Sequence, residues 1–512
     1  MRKLKMVHSQ VSFVNYWTPE VKRTVILVFL STAVTSFLVH GFLFSNEMFS
    51  HDSLGYGYFF DAGTVSYYTG LGRFFIPVYE RIKGAATVPW TIGILFTLWI
   101  TLTAWLLVRL LKIRTTGGIV LTSALVCANL AMSLTGASYI YCMDEYAFAL
   151  FAAVGAAYLF AKGGWFTLPG LAGLVISAGV YQAYFITAAC VCLLVVVGDL
   201  IENKRCRLAF LRGIRFLVLL AFGFVLYYAT WYGLCICRGT VMARTNESVL
   251  SSGFGGLFGL VLEAAMTYIR AMLCDHGILN GLMTVVHIAV LLLLALWLLR
   301  LLSDQELHIA NKILLVILVM MMPVAFNAAQ ILFPTSATRL TNFTWEMPYL
   351  LLLLSVERDV RKSWKGTIRT VAVVLLCSVL WHHTLYANHV YLKKDLEKNA
   401  TITLAARMID RIELLDGYIP GETRVAFVGM LLQNPSLNRI RPEFVDFTDV
   451  GLWGQYAATY SMGAYLTTYL NYPLVVDTVT DYSQMVEVQQ MPCFPAADSV
   501  QMINGTVVVK LA

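Results

Sequence analysis

Long apolar runs separated by short polar connections dominate the chain. A helix needs about 20 apolar residues to cross a bilayer, and about eleven stretches reach that length, centred near Leu30, Ile100, Cys127, Ala152, Leu174, Leu193, Phe222, Leu293, Leu318, Leu351 and Leu375. An odd number of spans puts the two termini on opposite sides. The run from Leu257 to Cys274 is also apolar, but it carries Glu263 and Arg270 about two helical turns apart. It reads as an interfacial helix, because a full span there would invert every later loop. The first long connection, Ser45 to Val88, mixes aromatic and charged residues with Gly63, Gly70 and Gly72. Its Ala62 to Lys83 portion predicts one or two short interfacial helices.

After Tyr391 the pattern changes to ordinary polarity. Asp395 to Leu415 predicts a helix, Arg424 to Met430 and Leu474 to Val479 predict buried strands, and Thr506 to Leu511 a closing strand. Asn504-Gly505 is a turn signal before that last strand. The expected fold is an all-α polytopic membrane bundle over 1–390, with interfacial helices in its outer loops, followed by a small extracytoplasmic α/β domain over 391–512.

Composition removes the soluble alternatives. A chain of 512 residues could hold three or so soluble domains. Its charged residues, however, make up 13% and its hydrophobic ones 58%, against a globular norm of roughly 25% and 45–50%. The mean hydropathy of +0.70 and the load of 29 Phe, 26 Tyr and 11 Trp would overfill an aqueous core. Disordered and coiled-coil readings fail too, since they need polar or heptad-patterned chains. The net charge of +7 points to topology, with no nucleic-acid partner implied. Lys and Arg concentrate at the N-terminus, Arg109 to Arg114, Lys162, Lys204 to Arg215, Arg300 to Lys312 and Arg358 to Arg369. By the positive-inside rule these ends are cytoplasmic, which leaves the C-terminal tail outside a cytoplasmic membrane. The first apolar run is long enough to span and is followed by Asn46 and Glu47, so no cleavable signal is expected. The cysteines fall mostly in apolar runs, and Cys142, Cys274 and Cys493 lie outside them in no pattern that fixes a disulfide. The Gly253 to Gly259 cluster lacks the following Lys-Ser/Thr of a nucleotide cradle.

The chemistry-bearing residues gather on the side away from the basic loops. Asp52 follows the first span by about eight residues, and Asp144-Glu145 opens the fourth span at the same outer level. Acidic groups at such depth cost free energy unless hydrated or paired. If they converge beside Arg73 and Arg339, they suit the binding of a lipid-linked phosphate, through arginine or a divalent cation, while a carboxylate deprotonates an incoming hydroxyl. The plainer reading is that Asp144 and Glu145 cap a helix and that Asp52 and Arg73 are solvated loop charges.

His51-Asp52-Ser53 after the first span, with Gly72-Arg73-Phe74 some twenty residues on, resembles the first-loop pattern of the type II Gtr glucosyltransferases. That loop usually reads Asp-Asp and then Gly-Arg-aromatic; here His51 stands in place of the first Asp. The Arg424 to Gly429 strand and the Met491-Pro492, Pro495 and Val507 to Leu511 ending are similar to the same family's extracytoplasmic end. The resemblance implies an integral-membrane glycosyltransferase of the C-type superfamily. It would transfer glucose or a similar hexose, with inversion, from an undecaprenyl-phosphate sugar to a cell-envelope polysaccharide acceptor. It further implies Asp52 as the catalytic base, with Asp144 or Glu145 as the second acidic residue, holding the acceptor or a Mg2+ or Mn2+ ion shared with Asp52. Arg73 or Arg339 becomes the phosphate contact.

Other polar positions offer less. Tyr181, Gln182 and Tyr184 at an outer turn suit sugar stacking and hydrogen bonding, or belong to an interfacial aromatic belt. His382, His383 and His389 end the last span, where snorkelling competes with metal binding. Asn327 and Gln330 line a sugar pocket or bridge helices. The rival functions are a polysaccharide polymerase or ligase, and a lipid-linked sugar transporter. The first usually carries a large arginine-rich outer loop, and the second ionisable residues deep in several spans. Arg238 to Gly277 is poor in arginine, and the stretches around Leu193, Leu293 and Leu351 are clean.

Overall fold

The computed structural model describes residues 18–50, 53, 62–84, 87–202, 205–243, 253–274, 276–332, 339–358, 366–437, 453 and 459–512. Among these, ten helices are long and apolar enough to cross a membrane, and the chain is a multi-pass membrane protein. Their outward faces carry large apolar side chains such as Phe37, Ile94, Leu217, Leu292 and Met320. Such surfaces are untenable in water and ordinary against lipid tails.

Helix α1 (Pro19–Ser45) starts where Thr18 accepts from Val21 N–H and Pro19 fits the first turn without a missing bond. Two short helices follow, α2 (Ala62–Gly70) and α3 (Ile76–Lys83), and then α4 (Pro89–Leu110). Inside the bundle α1 and α4 are tied by hydroxyl pairs, Thr32 to Thr101 at 2.6 Å and Ser36 to Thr97 at 2.7 Å. Between spanning helices such small polar contacts supply the adhesion that hydrophobicity cannot.

The span centred on Cys127 is broken in two, α5 (Thr116–Cys127) and α6 (Leu130–Ser138). Asn129 sits at the break. Its Oδ1 accepts from Ala131 N–H as an N-cap, and its Nδ2 donates to the Phe343 carbonyl at 3.0 Å. Then come α7 (Met143–Lys162), α8 (Thr167–Val180), α9 (Ala183–Ile201) and α10 (Cys206–Arg238). The predicted span at Leu174 corresponds to α8, whose 14 residues fall short of a full crossing.

One end of the bundle is marked by contacts among the basic loops: Arg23 with Thr116, Lys112 with Glu202, Arg212 with Asp199, and Glu357 with Thr115. At the opposite end the first connection is folded onto the helices. Trp231 Nε1 donates to the Thr69 carbonyl at 2.8 Å, Arg238 donates to the Thr69 hydroxyl, and Gln182 donates to the Leu71 carbonyl at 2.7 Å.

Helix α11 (Gly253–Leu273) is long and apolar enough to span. Its bonds nevertheless run to that opposite end: Ala264 O accepts from Asn327, Tyr268 donates to Trp345 O, and Ala271 O accepts from Arg339. It leads into α12 (Asn280–Ser303), whose Thr284 donates back to Leu273 O, and α13 (Ile309–Phe326) returns. Since α10 ends and α12 begins at the same end, α11 enters and leaves there, the arrangement of an interfacial helix. The predicted span at Leu351 is α14 (Met347–Arg358), only 12 residues, preceded by the 3₁₀ turns Arg339–Thr341 and Phe343–Glu346 that dip into the bundle.

The last helix, α15 (Gly366–Glu413), runs 48 residues without a break and so passes straight through position 390. Beyond it lies a four-stranded sheet, with β1 (Arg424–Val428) between β2 (Val475–Val476) and β4 (Thr506–Lys510), both parallel to it. β3 (Val500–Ile503) pairs antiparallel with β4 through Asn504 and Gly505, both at positive φ. Three of these strands lie where the sequence places them; β3 is the addition. The second core packs this sheet against α15 and α16 (Thr459–Thr468), and Phe49 from the end of α1 joins it beside Tyr465 and Tyr469.

Replacing Asn129 with Ala removes both the cap and the bridge to Phe343. Loss of a cap and a buried hydrogen bond is expected to lower stability by about 1–3 kcal/mol, read as a fall in the thermal unfolding midpoint of the purified protein in detergent.

Candidate active site

Helix α3 is short and two-sided, with Ile76, Pro77, Tyr79 and Glu80 buried. Glu80 and Lys83 are one turn apart and share a face. Gly84 closes the helix in the left-handed region at φ 98°. That geometry carries the Lys83 ammonium into the head of α7, where Asp144 and Glu145 occupy the first turn. Lys83 Nζ lies 2.6 Å from Glu80 Oε1, 2.9 Å from the Tyr141 carbonyl, 3.2 Å from Asp144 Oδ1 and 3.5 Å from Glu145 Oε1. All four side chains are buried; that of Lys83 is 2% exposed and that of Asp144 0%.

Burial acts to lower the Lys83 pKa, but Glu145, Asp144 and Glu80 together outweigh it and hold the ammonium well above the ordinary lysine range. Three carboxyl groups around one cation leave an excess of acid. Among the described residues, none donates a hydrogen bond to the buried Asp144 Oδ2 or Glu145 Oε2. Neither Lys83 nor Glu80 stood out in the sequence. The available signal was their spacing on an amphipathic helix, which does not name a partner sixty residues away.

Arg73 arrives from the turn between α2 and α3. Gly72 precedes it at φ 76°, and a Cβ there would meet Tyr227 Oη at 2.3 Å and Gln182 Nε2 at 2.9 Å. Only glycine allows both the conformation and the approach, which accounts for the Gly-Arg-aromatic order. Phe74 then packs on Gly179, and Phe75 N–H donates to the Gly179 carbonyl at 2.8 Å. The Arg73 guanidinium lies over the Tyr181 ring at 4.9 Å, and one of its nitrogens is 3.5 Å from Tyr146 Oη. Tyr181 stacks on Tyr146 with centroids 4.3 Å apart. Since Tyr146 directly follows Glu145, Arg73 and the acidic pair share one corner of the bundle.

The remaining candidates are placed differently. Gln182 is committed to the loop, donating to Leu71 O and Tyr227 Oη. Tyr184 is buried, 3% exposed, with its hydroxyl 3.7 Å from Met132 Sδ. Asp52 and His51 lie outside the described residues; on either side of them Ser50 and Ser53 hydrogen-bond to each other, Ser50 N–H donating to Ser53 Oγ at 2.8 Å.

Arg339 is found with another set of residues. It donates to the Ala271 carbonyl at 3.1 Å and lines a cavity of about 30 Å³ with Glu346, His287, Tyr349, His382 and His383. That volume admits a water molecule. His382 Nε2 faces the carbonyls of His276 and Ile278 at 3.0 and 3.2 Å, so it carries the proton. His287 Nε2 meets Tyr349 Oη at 2.6 Å, and His383 Nδ1 lies 3.7 Å from Glu346 Oε2. His382 and His383 are thus inside the bundle and do not snorkel. Asn327 bridges helices as one of its two readings has it, donating to Ala264 O and to Gln330 Oε1.

Among the described residues no group of three or more His, Cys, Asp and Glu side chains is arranged to hold a metal ion. All ten cysteines are free thiols.

A membrane bundle that buries an acidic pair, a lysine and an arginine at one end belongs to the class of polytopic membrane proteins with a polar site at the bilayer edge. Residues 41–356 match the glucosyl transferase GtrII family, and the chain is a member of that family. It is therefore a membrane glucosyltransferase. The match spans the Arg73 corner and, of the Arg339 cavity, His287, Arg339, Glu346 and Tyr349, but it ends before His382 and His383. The chain matches no curated protein and no solved structure.

Replacing Lys83 with Met strips the counter-ion from three buried carboxyl groups. Breaking a buried pair on one side is expected to cost about 3–5 kcal/mol, seen as a lowered unfolding midpoint in detergent. Because the lysine pKa is raised by folding, the stabilisation it supplies is complete below the unfolded value of about 10.4 and is lost only as pH rises above it. Deprotonation of this lysine should accordingly cost the wild type no stability between pH 7 and about pH 10.

Proposed function

We propose that the chain transfers a glucosyl group from a polyprenyl-phosphate carrier, undecaprenyl phosphate in a bacterial membrane, to a cell-envelope polysaccharide. Transfer takes place on the side away from the basic loops. The observation that carries this reading is the juxtaposition of Arg73 with Asp144 and Glu145 at one end of a lipid-embedded bundle of the GtrII family. A carrier with a polyprenyl tail needs the bilayer, and its phosphate needs a cation at the bilayer edge.

In this scheme the acceptor hydroxyl oxygen attacks the anomeric carbon from the face opposite the phosphate. The bond from that carbon to the phosphate oxygen breaks, and its electron pair leaves with the polyprenyl phosphate. The hydroxyl proton passes to Asp52, and the configuration inverts. One base suffices, because a phosphate leaves well once its charge is met. Arg73 meets it: the guanidinium is anchored on Tyr181 and retains donors for phosphate oxygens. Asp144 and Glu145 are the acidic groups that orient the acceptor hydroxyls. Tyr181 holds Arg73 in place, and Gln182 holds the turn that carries it. Arg339, in its own cavity, supports the segment that precedes α14 and takes no part in the phosphate contact.

Asp52→Asn is expected to lower transfer of labelled glucose from polyprenyl-phosphate glucose by about 10²–10⁴-fold, with the unfolding midpoint unchanged. Arg73→Ala should lower it comparably while Arg339→Ala lowers it much less; equal losses would remove Arg73 from the phosphate role. Full activity of Asp52→Asn would end the assignment of the base.

Orientation is checked separately with a cysteine at Gln484, an exposed position of the tail domain. With the exposed native Cys237, Cys274, Cys377 and Cys493 replaced by Ser, a membrane-impermeant maleimide should label Gln484→Cys in intact cells. Labelling only after lysis would reverse the topology.

A further inference from the structure

The acidic corner is the place where a divalent cation would be sought, since Glu80, Asp144 and Glu145 are buried together there. That place is already filled. Lys83 Nζ stands between Glu80, Asp144 and Glu145 at 2.6, 3.2 and 3.5 Å, and the Tyr141 carbonyl at 2.9 Å completes its surroundings. An ammonium has three N–H donors, and four acceptors within reach saturate them. A magnesium or manganese ion needs near-octahedral oxygen ligands at about 2.0–2.2 Å. An ion drawing on these carboxylates would have to sit within a few ångströms of a buried positive nitrogen. A divalent ion there would face the ammonium at short range, where repulsion is poorly screened.

Lys83 also has no easy way out. It ends α3, whose Ile76 and Tyr79 are buried, and the chain turns away at Gly84. Tyr79 is fixed by a hydrogen bond from Trp99 Nε1 at 2.8 Å. Swinging the ammonium aside would expose three carboxyl groups to one another in a region of low dielectric.

We propose that Lys83 is the built-in counter-ion of the acidic pair, a positioning residue that does with an ammonium what a divalent cation would otherwise do. Asp144 and Glu145 consequently act without a metal. The proposal rests on the reading of Asp144 and Glu145 as part of the transfer site, but its central measurement does not involve sugar transfer.

The test is Mn2+ binding to the full chain in nanodiscs, followed by electron paramagnetic resonance, for wild type, Asp144→Asn, Lys83→Gln, Lys83→Arg and the double variant Lys83→Gln/Asp144→Asn. Wild type, Asp144→Asn and Lys83→Arg should bind the same amount of Mn2+. Lys83→Gln should gain one bound ion, and the double variant should lose it again. Transfer by the wild type should be unchanged by EDTA, and Lys83→Arg should retain transfer that Lys83→Gln loses. Bound Mn2+ in the wild type that disappears in Asp144→Asn overturns the proposal, as does loss of more than about tenfold of wild-type transfer in EDTA. A folded Lys83→Gln that gains no ion overturns it as well. Should Lys83→Gln not fold, the comparison of wild type with Asp144→Asn decides alone. The expected Mn2+ pattern without any glucosyl transfer would leave the counter-ion in place and remove the transfer reading.

Discussion

A charge taken out of water must be answered by another charge, and at the head of α7 this requirement organises the surrounding structure. Lys83 reaches Asp144, Glu145 and Glu80 at once, and in doing so it pins α3 to the bundle. The neighbouring turn is held by neutral bonds of the same purpose, from Trp231, Gln182 and Tyr227 to the carbonyls of residues 69, 71 and 72. The described part of the first connection is therefore a layer of the protein body, with its backbone groups satisfied by helices that arrive much later in the chain. Arg73 owes its position to that layer. Without Gly72 in the left-handed region and Phe74 seated on Gly179, its guanidinium would not lie over Tyr181.

Much of this was legible in the sequence, and the reasons for what was not are physical. Length and apolarity alone identify α1, α4, α7, α9, α10, α12, α13 and α15 as spans, because a bilayer sets one length for all of them. The break at Asn129 was hidden because hydropathy does not register a single residue whose side chain caps one helix and bonds a distant carbonyl. The short α14 looked like a full span for a similar reason. Its apolar run continues upstream into Trp345 and Phe343, which are buried in 3₁₀ turns and not in an α-helix. In the tail, β1 and β4 read clearly as short apolar runs, whereas β3, with Gln501 and Met502 half-exposed at the sheet edge, did not.

The site was legible by half. Asp144 and Glu145 stand out as paired acids at the start of an apolar helix, and Arg73 by its place after Gly72. Their convergence follows from tertiary packing that no local pattern encodes, and the same packing separates Arg339 from them. Tyr184 and Phe343, with rings 6.4 Å apart, stand between the two polar clusters. The Arg339 cavity is lined by His287, His382, His383 and Glu346 from three different segments. Each of those residues, taken singly, resembles an interfacial side chain.

The unbroken course of α15 bears on how the tail domain is held. At 1.5 Å per residue its 48 residues make a rod of about 72 Å, seated against α1 and α6 for part of its length and against the sheet for the rest. A flexible tether would let the tail domain swing freely, but a stiff mast joined at Phe49 to the foot of the first connection does not. The tail domain is thereby held at two points, by a continuous helix and by Phe49, which fixes its height and bearing relative to the bundle.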